Sequence, residues 1–333
     1  MKGAKFSGHV QGIGFMIEVV KFLPFLLLFL FSCASQHTTP KKRALAYTPC
    51  PISQDLRDLA RRKKKLIGTA VHSRAFAENT RYRKALEDDW NLATPEYAMK
   101  MSFLEPEKEQ FDFRESDAIA RFAQKQQMVM RGHVLVWHRE LPEWAEKESG
   151  DAEALRNTLK SYITTVVGHY RSEFPGLLRY WDVVNEAVDD TASLRRDSLW
   201  ADIGNDYIEL AFRWAHEADP AAKLFYNDYG IEEMNPKSDR VYRLVKKLLE
   251  RGVPIHGVGF QMHLGEGLKH DFASMEKNLE RFRKLRLRVH ITELDVRLKV
   301  DEGEQPSPAQ LKLQADLYAR AAGLCLASPT CDV

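Results

Sequence analysis

The stretch RYWDVVNEAVDD, residues 179–190, decides how the rest of the chain is read. Tyr180, Trp181, Val183 and Val184 form a run that is apolar on both faces, the pattern of a strand covered on both sides. The run ends on an amide and a carboxylate, Asn185 and Glu186. A charge at the end of a buried strand is costly unless it is used, so the stretch predicts a site as well as a strand.

The same pattern recurs along the chain. Strands are expected at LIGTAV (66–71), WNLAT (90–94), MVMRGHVLVW (128–137), RYWDVVN (179–185), KLFYN (223–227), IHGVGFQ (255–261) and LRVHITE (287–293). Between and after them, amphipathic spacing predicts helices near 80–88, 114–127, 151–173, 202–218, 237–251, 272–285 and 308–324. Strand followed by helix, repeated from Leu66 onward without a Gly/Ser linker, predicts one domain built on a parallel sheet covered by helices.

A doubly wound open sheet and a (β/α)8 TIM barrel both satisfy that order. The barrel is favoured because polar and ionisable residues stand at the C-terminal ends of nearly every strand. They are His72, Glu96, His133 and His138, Asn185 and Glu186, Asn227 and Asp228, Gln261 and His263, then Glu293 and Asp295. In a barrel those ends converge on one mouth, whereas an open sheet uses only the ends at its switch point. LIGTAVHSRAF also lacks the glycine-rich phosphate loop of a dinucleotide-binding first turn.

Two of these residues, Glu186 and Glu293, end apolar strands that would be the fourth and seventh of a barrel, which points both carboxylates into one cleft. That is the arrangement glycoside hydrolysis requires, one carboxyl protonating the leaving oxygen while the other attacks or activates water. Taken singly, each glutamate reads as a strand-end member of a structural ion pair. Their neighbours change the balance: Asn185 is placed to donate to a bound hydroxyl, and His263 with Asp295 would form a relay that orients Glu293 and keeps it ionised. A metal site from His133, His138 and His263 competes with this reading, but no HExxH or similar short spacing supports it.

Six motifs carry a family resemblance: TPEYAMK (94–100), RGHVLVWH (131–138), WDVVNEAVDD (181–190), LFYNDYG (224–230), GVGFQMHL (257–264) and ITELDV (291–296). Through them the chain, from about Leu66 to its last residue, resembles the endo-β-1,4-xylanases of glycoside hydrolase family 10. The resemblance implies a (β/α)8 barrel that cleaves xylan with retention of configuration and needs neither metal nor organic cofactor. It implies Glu186 as acid/base and Glu293 as nucleophile. It also implies sugar contacts from Glu96, Lys100, His133, Trp137, Asn185, Gln261 and His263, with Asn227 and Tyr229 beside them. Trp137 offers a flat apolar face for a sugar ring, and Asn185 and Gln261 suit contacts that strengthen in the transition state. Tyr97, Met101 and Glu140 stand where the family usually has Asn, Trp and Gln. These changes lie around the distal sugar sites and bear on which xylans fit. Two other functions stay open at this point: a surface polysaccharide-binding protein on a degraded hydrolase scaffold, and an endo-β-1,4-glucanase.

Composition narrows the alternatives. The 333 residues are 44% hydrophobic and 29% charged, and 49 basic residues against 47 acidic ones leave a net charge of +2. That balance gives no reason to expect nucleic acid or an anionic membrane surface as partner; the resemblance implies a β-1,4-linked polysaccharide, and a monomer is expected. KFLPFLLLFLFSCAS (21–35) combines a positive residue, an apolar run too short to span a bilayer and small residues at its end, as export signals do. It resembles a lipoprotein leader with Cys33 as the lipidated residue. The expected organisation is a leader over 1–35, a Thr/Pro/Lys/Arg-rich tether over 36–53 and a catalytic barrel over 54–333. The protein is then expected at the outer membrane or cell surface, or otherwise periplasmic or secreted. RRKKK (61–65) reads as the solvated end of a short helix. CLASPTCDV (325–333) begins what would be the eighth strand. The barrel is therefore expected to be incomplete at its C-terminus, with strands 1 and 7 left as open edges and the chain prone to aggregate. Spacing leaves open whether Cys325 pairs with Cys331.

Overall fold

The structure, a computed structural model, describes residues 55–333. The expected leader, its lipidation site at Cys33 and the tether lie outside the described residues. The strands are β1 (Gly68–Val71), β2 (Leu92–Pro95), β3 (Val129–Val136), β4 (Leu178–Asn185), β5 (Lys223–Asp228), β6 (Gly257–Phe260), β7 (His263–Gly265), β8 (Arg288–Ile291) and β9 (Asp295–Arg297). Seven of them make one parallel sheet in the order β1-β2-β3-β4-β5-β6-β8, while β7 and β9 pair separately as a short ribbon. Every strand expected from the sequence is present in this sheet, which curls as seven strands of a (β/α)8 barrel. The β7–β9 ribbon was not expected.

Helices follow the strands as predicted, and their ends show why. The helix Pro236–Glu250 starts at a capping box between Asn235 and Ser238 with proline in its first turn, and Pro308–Ala327 starts in the same way from Ser307 and Gln310. The segment expected to be helical from 202 instead splits: a 3-10 turn at Leu199–Ile203 ends on Gly204, and the α-helix runs Tyr207–Ala218. Gly204 has φ +116°, which breaks the helix there.

The barrel interior changes character along its axis. At one level Leu92, Val129, Tyr180 and Phe225 form a small apolar cluster, separate from the large core that seats the helices outside. Next comes a buried ionic layer, where Arg131 holds Asp182 with two nitrogens (Nε–Oδ2 2.8 Å) and places Nη1 3.2 Å from His290 Nδ1. Burial pushes the Asp182 carboxyl up, but Arg131 and His133 outweigh it and hold the group below the ordinary carboxylate range. The strand-end residues lie beyond this layer.

One irregularity in β4 sets that top layer. Tyr180 and Asp182 face inward, Trp181 and Val183 outward into the helix-facing core. Strict alternation would then turn Val184 inward and Asn185 away. The register against β5 shifts between Asp182 and Val184, a bulge that re-aims the strand so that Asn185 bonds inside the mouth.

Between β8 and β1 lies the segment expected to start an eighth strand. Val289 N donates to Thr330 O (3.1 Å), Ile291 N to Val333 O (3.0 Å) and Leu66 N to Asp332 O (2.7 Å). Arg288 pairs with Asp332, and Lys65 Nζ donates to Ser328 O (2.9 Å) and to Cys331 O. Two expectations are corrected here. Residues 330–333 bond along the edge of β8, which was expected to be open, and on the other side reach only Leu66, just ahead of β1, so the seven-stranded barrel stays incomplete as expected. Residues 61–64 of the basic run are exposed at the end of the helix Leu56–Arg62, as expected, while half-buried Lys65 is bound to backbone carbonyls. Cys325 and Cys331 form a disulfide that ties this segment to the preceding helix.

The disulfide closes a short loop whose constraint is worth about 2 kcal/mol. Reducing it, or introducing Cys331→Ser, is expected to lower the melting midpoint by a few degrees in scanning calorimetry. An unchanged midpoint would mean that hydrogen bonds and the Arg288–Asp332 pair suffice to seat the segment.

Candidate active site

Glu186 leaves the end of β4 with φ +55°, a left-handed conformation that a non-glycine residue adopts at a cost of about 1–3 kcal/mol. Its backbone N–H donates to Asn227 O at 2.9 Å, and Arg195 Nε donates to its carbonyl at 2.9 Å, which hold the kink in place. The kink delivers the carboxylate to the mouth, where it is 8% exposed. Three nitrogens donate to it: Trp137 Nε1 to Oε2 (2.9 Å), Gln261 Nε2 to Oε1 (3.0 Å) and Asn185 Nδ2 to Oε1 (3.1 Å). His138 Nδ1 stands 3.8 Å from Oε2.

Glu293 follows β8 on the other side. Asn227 Nδ2 donates to its Oε1 at 2.8 Å, and His263 Nε2 lies 3.4 Å from its Oε2. His263 faces three acceptors with two ring nitrogens: Asp295 Oδ2 at Nδ1 (2.6 Å), and Gln261 Oε1 (3.1 Å) and Glu293 Oε2 (3.4 Å) at Nε2. Acceptors on both sides require both nitrogens to carry protons, so the ring is an imidazolium. In agreement, hydrogen bonds to Asp295 and Glu293 raise its pKa to about 10. Burial pushes the Glu293 carboxyl up, but the bond from His263 and the proximity of His133 outweigh it, so the group stays ionised to lower pH than an ordinary carboxylate.

Two hydrogen-bonded paths connect the carboxylates. One runs from Glu186 through Asn185 and Asn227 to Glu293, with the amides 2.9 Å apart. The other runs through Gln261 and His263. Both side chains are therefore brought to one site through shared partners, although 107 positions separate them in the sequence.

The remaining expected residues divide. Lys100 is nearly buried, with Nζ 4.3 Å from the Tyr97 ring centre and 4.9 Å from that of Trp137. Burial lowers its pKa against the pull of Glu140 and Glu96. Glu96 follows β2, and burial raises its carboxyl. His133 is fixed by Asp182 (Nδ1–Oδ2 3.1 Å). Tyr229 lies under Lys237 Nζ, 3.2 Å from the ring centre. Two residues have further structural duties. His72, at the end of β1 as expected, caps the helix Ser73–Glu78 and sets its ring edge-on to Tyr97 (6.1 Å). Asp228 is buried in the wall, bonded by Tyr226 Oη (2.6 Å), Tyr229 N (2.9 Å) and Lys237 Nζ (3.0 Å). Met101, expected near the distal sugar sites, is packed in the core. Among the described residues no three His, Cys, Asp or Glu side chains gather as a metal site.

Sequence reasoning missed three supports. Arg131 and Asp182 carry His133. Thr292 Oγ1 donates to Asn227 Oδ1 at 2.7 Å, which fixes the orientation of that amide. Glu232 Oε1 accepts from Met262 N at 2.8 Å, beneath the turn with φ +60° that separates Gln261 from His263. The polar positions of Asp182 and Thr292 within apolar strands were the available signal.

A parallel barrel with two hydrogen-bonded carboxylates across its mouth, one held ionised by an imidazolium, defines a carboxylate-pair glycosidase. The sequence of residues 55–333 matches the model of glycosyl hydrolase family 10. The chain belongs to that family. It is 39% identical over 315 residues to endo-1,4-beta-xylanase B of Thermotoga neapolitana, covering 93% of this chain and 84% of that protein. Among solved structures it is similar to native xylanase 10B from Thermotoga maritima (TM-score 0.78, 41% identity, 84% of each chain). Xylanase 10B from Thermotoga petrophila RKU-1 in complex with xylobiose is similar as well (TM-score 0.78, 41% identity, 84% of this chain and 83% of that one).

Gly259 gives the site its room. A Cβ there would meet Asn227 Oδ1 at 2.1 Å and Thr292 Cγ2 at 2.8 Å. Gly259→Ala is expected to displace Asn227 and lower glycoside turnover about 100-fold while the far-UV circular dichroism is unchanged. Undiminished turnover would mean that Asn227 does not set the carboxylate geometry.

Proposed function

We propose that the protein is an endo-1,4-β-xylanase that hydrolyses internal xylosidic bonds with retention of configuration. The observation that carries this reading is the pair Glu186 and Glu293, brought together at the strand ends and joined through Asn185 and Asn227 on one path and Gln261 and His263 on the other. It is supported by the names of the relatives, endo-1,4-beta-xylanases among them, and by xylobiose in a structural neighbour.

The step divides between the two carboxyls. Glu186, protonated, gives its proton to the glycosidic oxygen as the bond to the anomeric carbon breaks. Glu293 attacks that carbon, and the resulting glycosyl ester is hydrolysed by a water whose proton returns to Glu186. The His263 imidazolium, backed by Asp295, keeps Glu293 free of the proton that would block attack. Asn185 and Gln261 have amide protons directed at Glu186, and Trp137 turns its indole N–H to the same carboxylate while its ring stays available to a sugar. Glu96, Lys100, His133, Asn227 and Tyr229 complete the polar lining, and the chemistry uses no cofactor.

The place of action follows the leader. We infer export and attachment through a lipid on Cys33, with the catalytic domain acting as a monomer on extracellular polysaccharide. The apolar run ending in LFSC supports this. Mass spectrometry of the Cys33 peptide from the host membrane is expected to find a diacylglyceryl adduct, and an unmodified thiol there would overturn the anchor.

Incubation of the purified chain with xylan is expected to release reducing ends, with products of the β-configuration when first formed. Glu293→Gln is expected to abolish release and to leave retardation in xylan-containing native gels intact. Binding without cleavage by the unsubstituted chain would favour a polysaccharide-binding role, and faster release from carboxymethylcellulose would favour a glucanase.

A further inference from the structure

The main sheet and the β7–β9 ribbon meet at one residue. Gln261 N still donates to Asp228 O (3.1 Å) in continuation of β6, while His263 already pairs with Asp295 in the ribbon. Met262 between them is buried and turns with φ +60°, so that its N–H joins neither ladder. A buried N–H must find an acceptor. This one finds a side chain, Glu232 Oε1, at 2.8 Å.

Glu232 is itself buried and stands on the segment that follows β5. That segment is stitched to the helix Phe272–Lys284. Asn278, with no accessible surface, donates through Nδ2 to Ile231 O (2.6 Å) and to Glu232 O (3.1 Å). Glu233 Oε1 accepts from Asp271 N (2.9 Å) at the start of the helix, and Met234 N donates to Ser274 Oγ (2.9 Å). The Met262 turn is thus held by a carboxyl on a fixed arm.

What the turn carries gives that bond its consequence. One residue before it, Gln261 Nε2 donates to Glu186 Oε1 (3.0 Å); one residue after it, His263 Nε2 faces Glu293 Oε2 (3.4 Å). Gln261 Oε1 and His263 Nε2 also meet each other at 3.1 Å. Two side chains reach two different carboxylates from a single backbone turn, so a rotation at Met262 displaces both.

We propose that Glu232 is a positioning residue for both catalytic carboxylates: by holding the Met262 turn it aims Gln261 at Glu186 and His263 at Glu293. The inference rests on the xylanase reading and deepens it. Its mark is a double defect, because proton donation to the leaving group and attack by Glu293 deteriorate together when the acceptor is lost.

The test compares the unsubstituted chain with Glu232→Met, which keeps the volume and removes the acceptor, and with Glu232→Gln, which keeps an acceptor. Turnover of 2,4-dinitrophenyl and phenyl xylobioside is measured, with melting midpoints checking that each chain is folded at the assay temperature. Dinitrophenolate leaves without a proton and phenolate does not, so a misaimed Glu186 is expected to widen the ratio of kcat/KM between the two substrates roughly tenfold in Glu232→Met. The charged groups acting on Glu293 are His263, His133, Asp182 and Lys100, and of these only His263 is carried by the turn. With that contact loosened Glu293 takes up a proton at higher pH, and the acid limb of kcat/KM for the dinitrophenyl substrate is expected to rise by about one pH unit. Glu232→Gln is expected to recover most of both effects. Asn278→Ala frees the arm without touching the turn and is expected to show both in smaller size, which carries the test should Glu232→Met not fold. One effect without the other, or a uniform loss of turnover with neither, would overturn the coupling. An unsubstituted chain that releases neither phenol would overturn the reading of the site itself.

Discussion

Asn227 has no accessible surface, and its side-chain amide joins three strands. It donates to Asn185 at the end of β4 and to Glu293 after β8, and it accepts from Thr292. An amide in that position must satisfy all its bonds, because each one left unmade in a buried site costs about 1–3 kcal/mol. The distance between the two carboxylates is therefore set by hydrogen-bond lengths across the barrel and not by loops at its rim. Gly259 leaves the space that this amide occupies.

The electrostatics follow from the same packing. Two carboxylates in one cleft would raise each other's pKa if nothing intervened. Here Glu293 has an imidazolium at one oxygen, while Glu186 receives only neutral N–H donors among its hydrogen bonds. The asymmetry suits the role proposed for Glu293, the group beside the cation, which stays ionised to lower pH than an ordinary carboxylate. Below them Arg131 and Asp182 neutralise each other inside the barrel, so His133 is positioned without an unpaired charge beneath the substrate.

The barrel wall depends on how β1 and β8 meet. Backbone groups of residues 330–333 bond to both sides, and Val333 packs against the inner cluster of Leu92, Val129, Tyr180 and Phe225. Short as it is, this segment covers the edge of β8, whose exposed N–H and C=O groups would otherwise invite pairing between chains. Lys65, Arg288 and the Cys325–Cys331 disulfide hold it there, each acting at a different point.

Much of this was legible in the sequence because burial writes a period into it. Runs such as RYWDVVN and LRVHITE are apolar on both faces only if covered on both sides, and their repetition with helical segments between them leads to a parallel barrel. Glu186, Glu293, Gln261 and His263 could be singled out because each interrupts or ends such a run. The bulge between Asp182 and Val184, the turn of Asp228 into the wall, the cap formed by His72 and the burial of Met101 were not legible. Local pattern states which residues avoid water. Which of two adjacent polar residues enters the mouth, and whether Lys65 meets solvent or a carbonyl, depends on partners distant in the chain, and only the closed tertiary structure brings those partners within hydrogen-bonding distance.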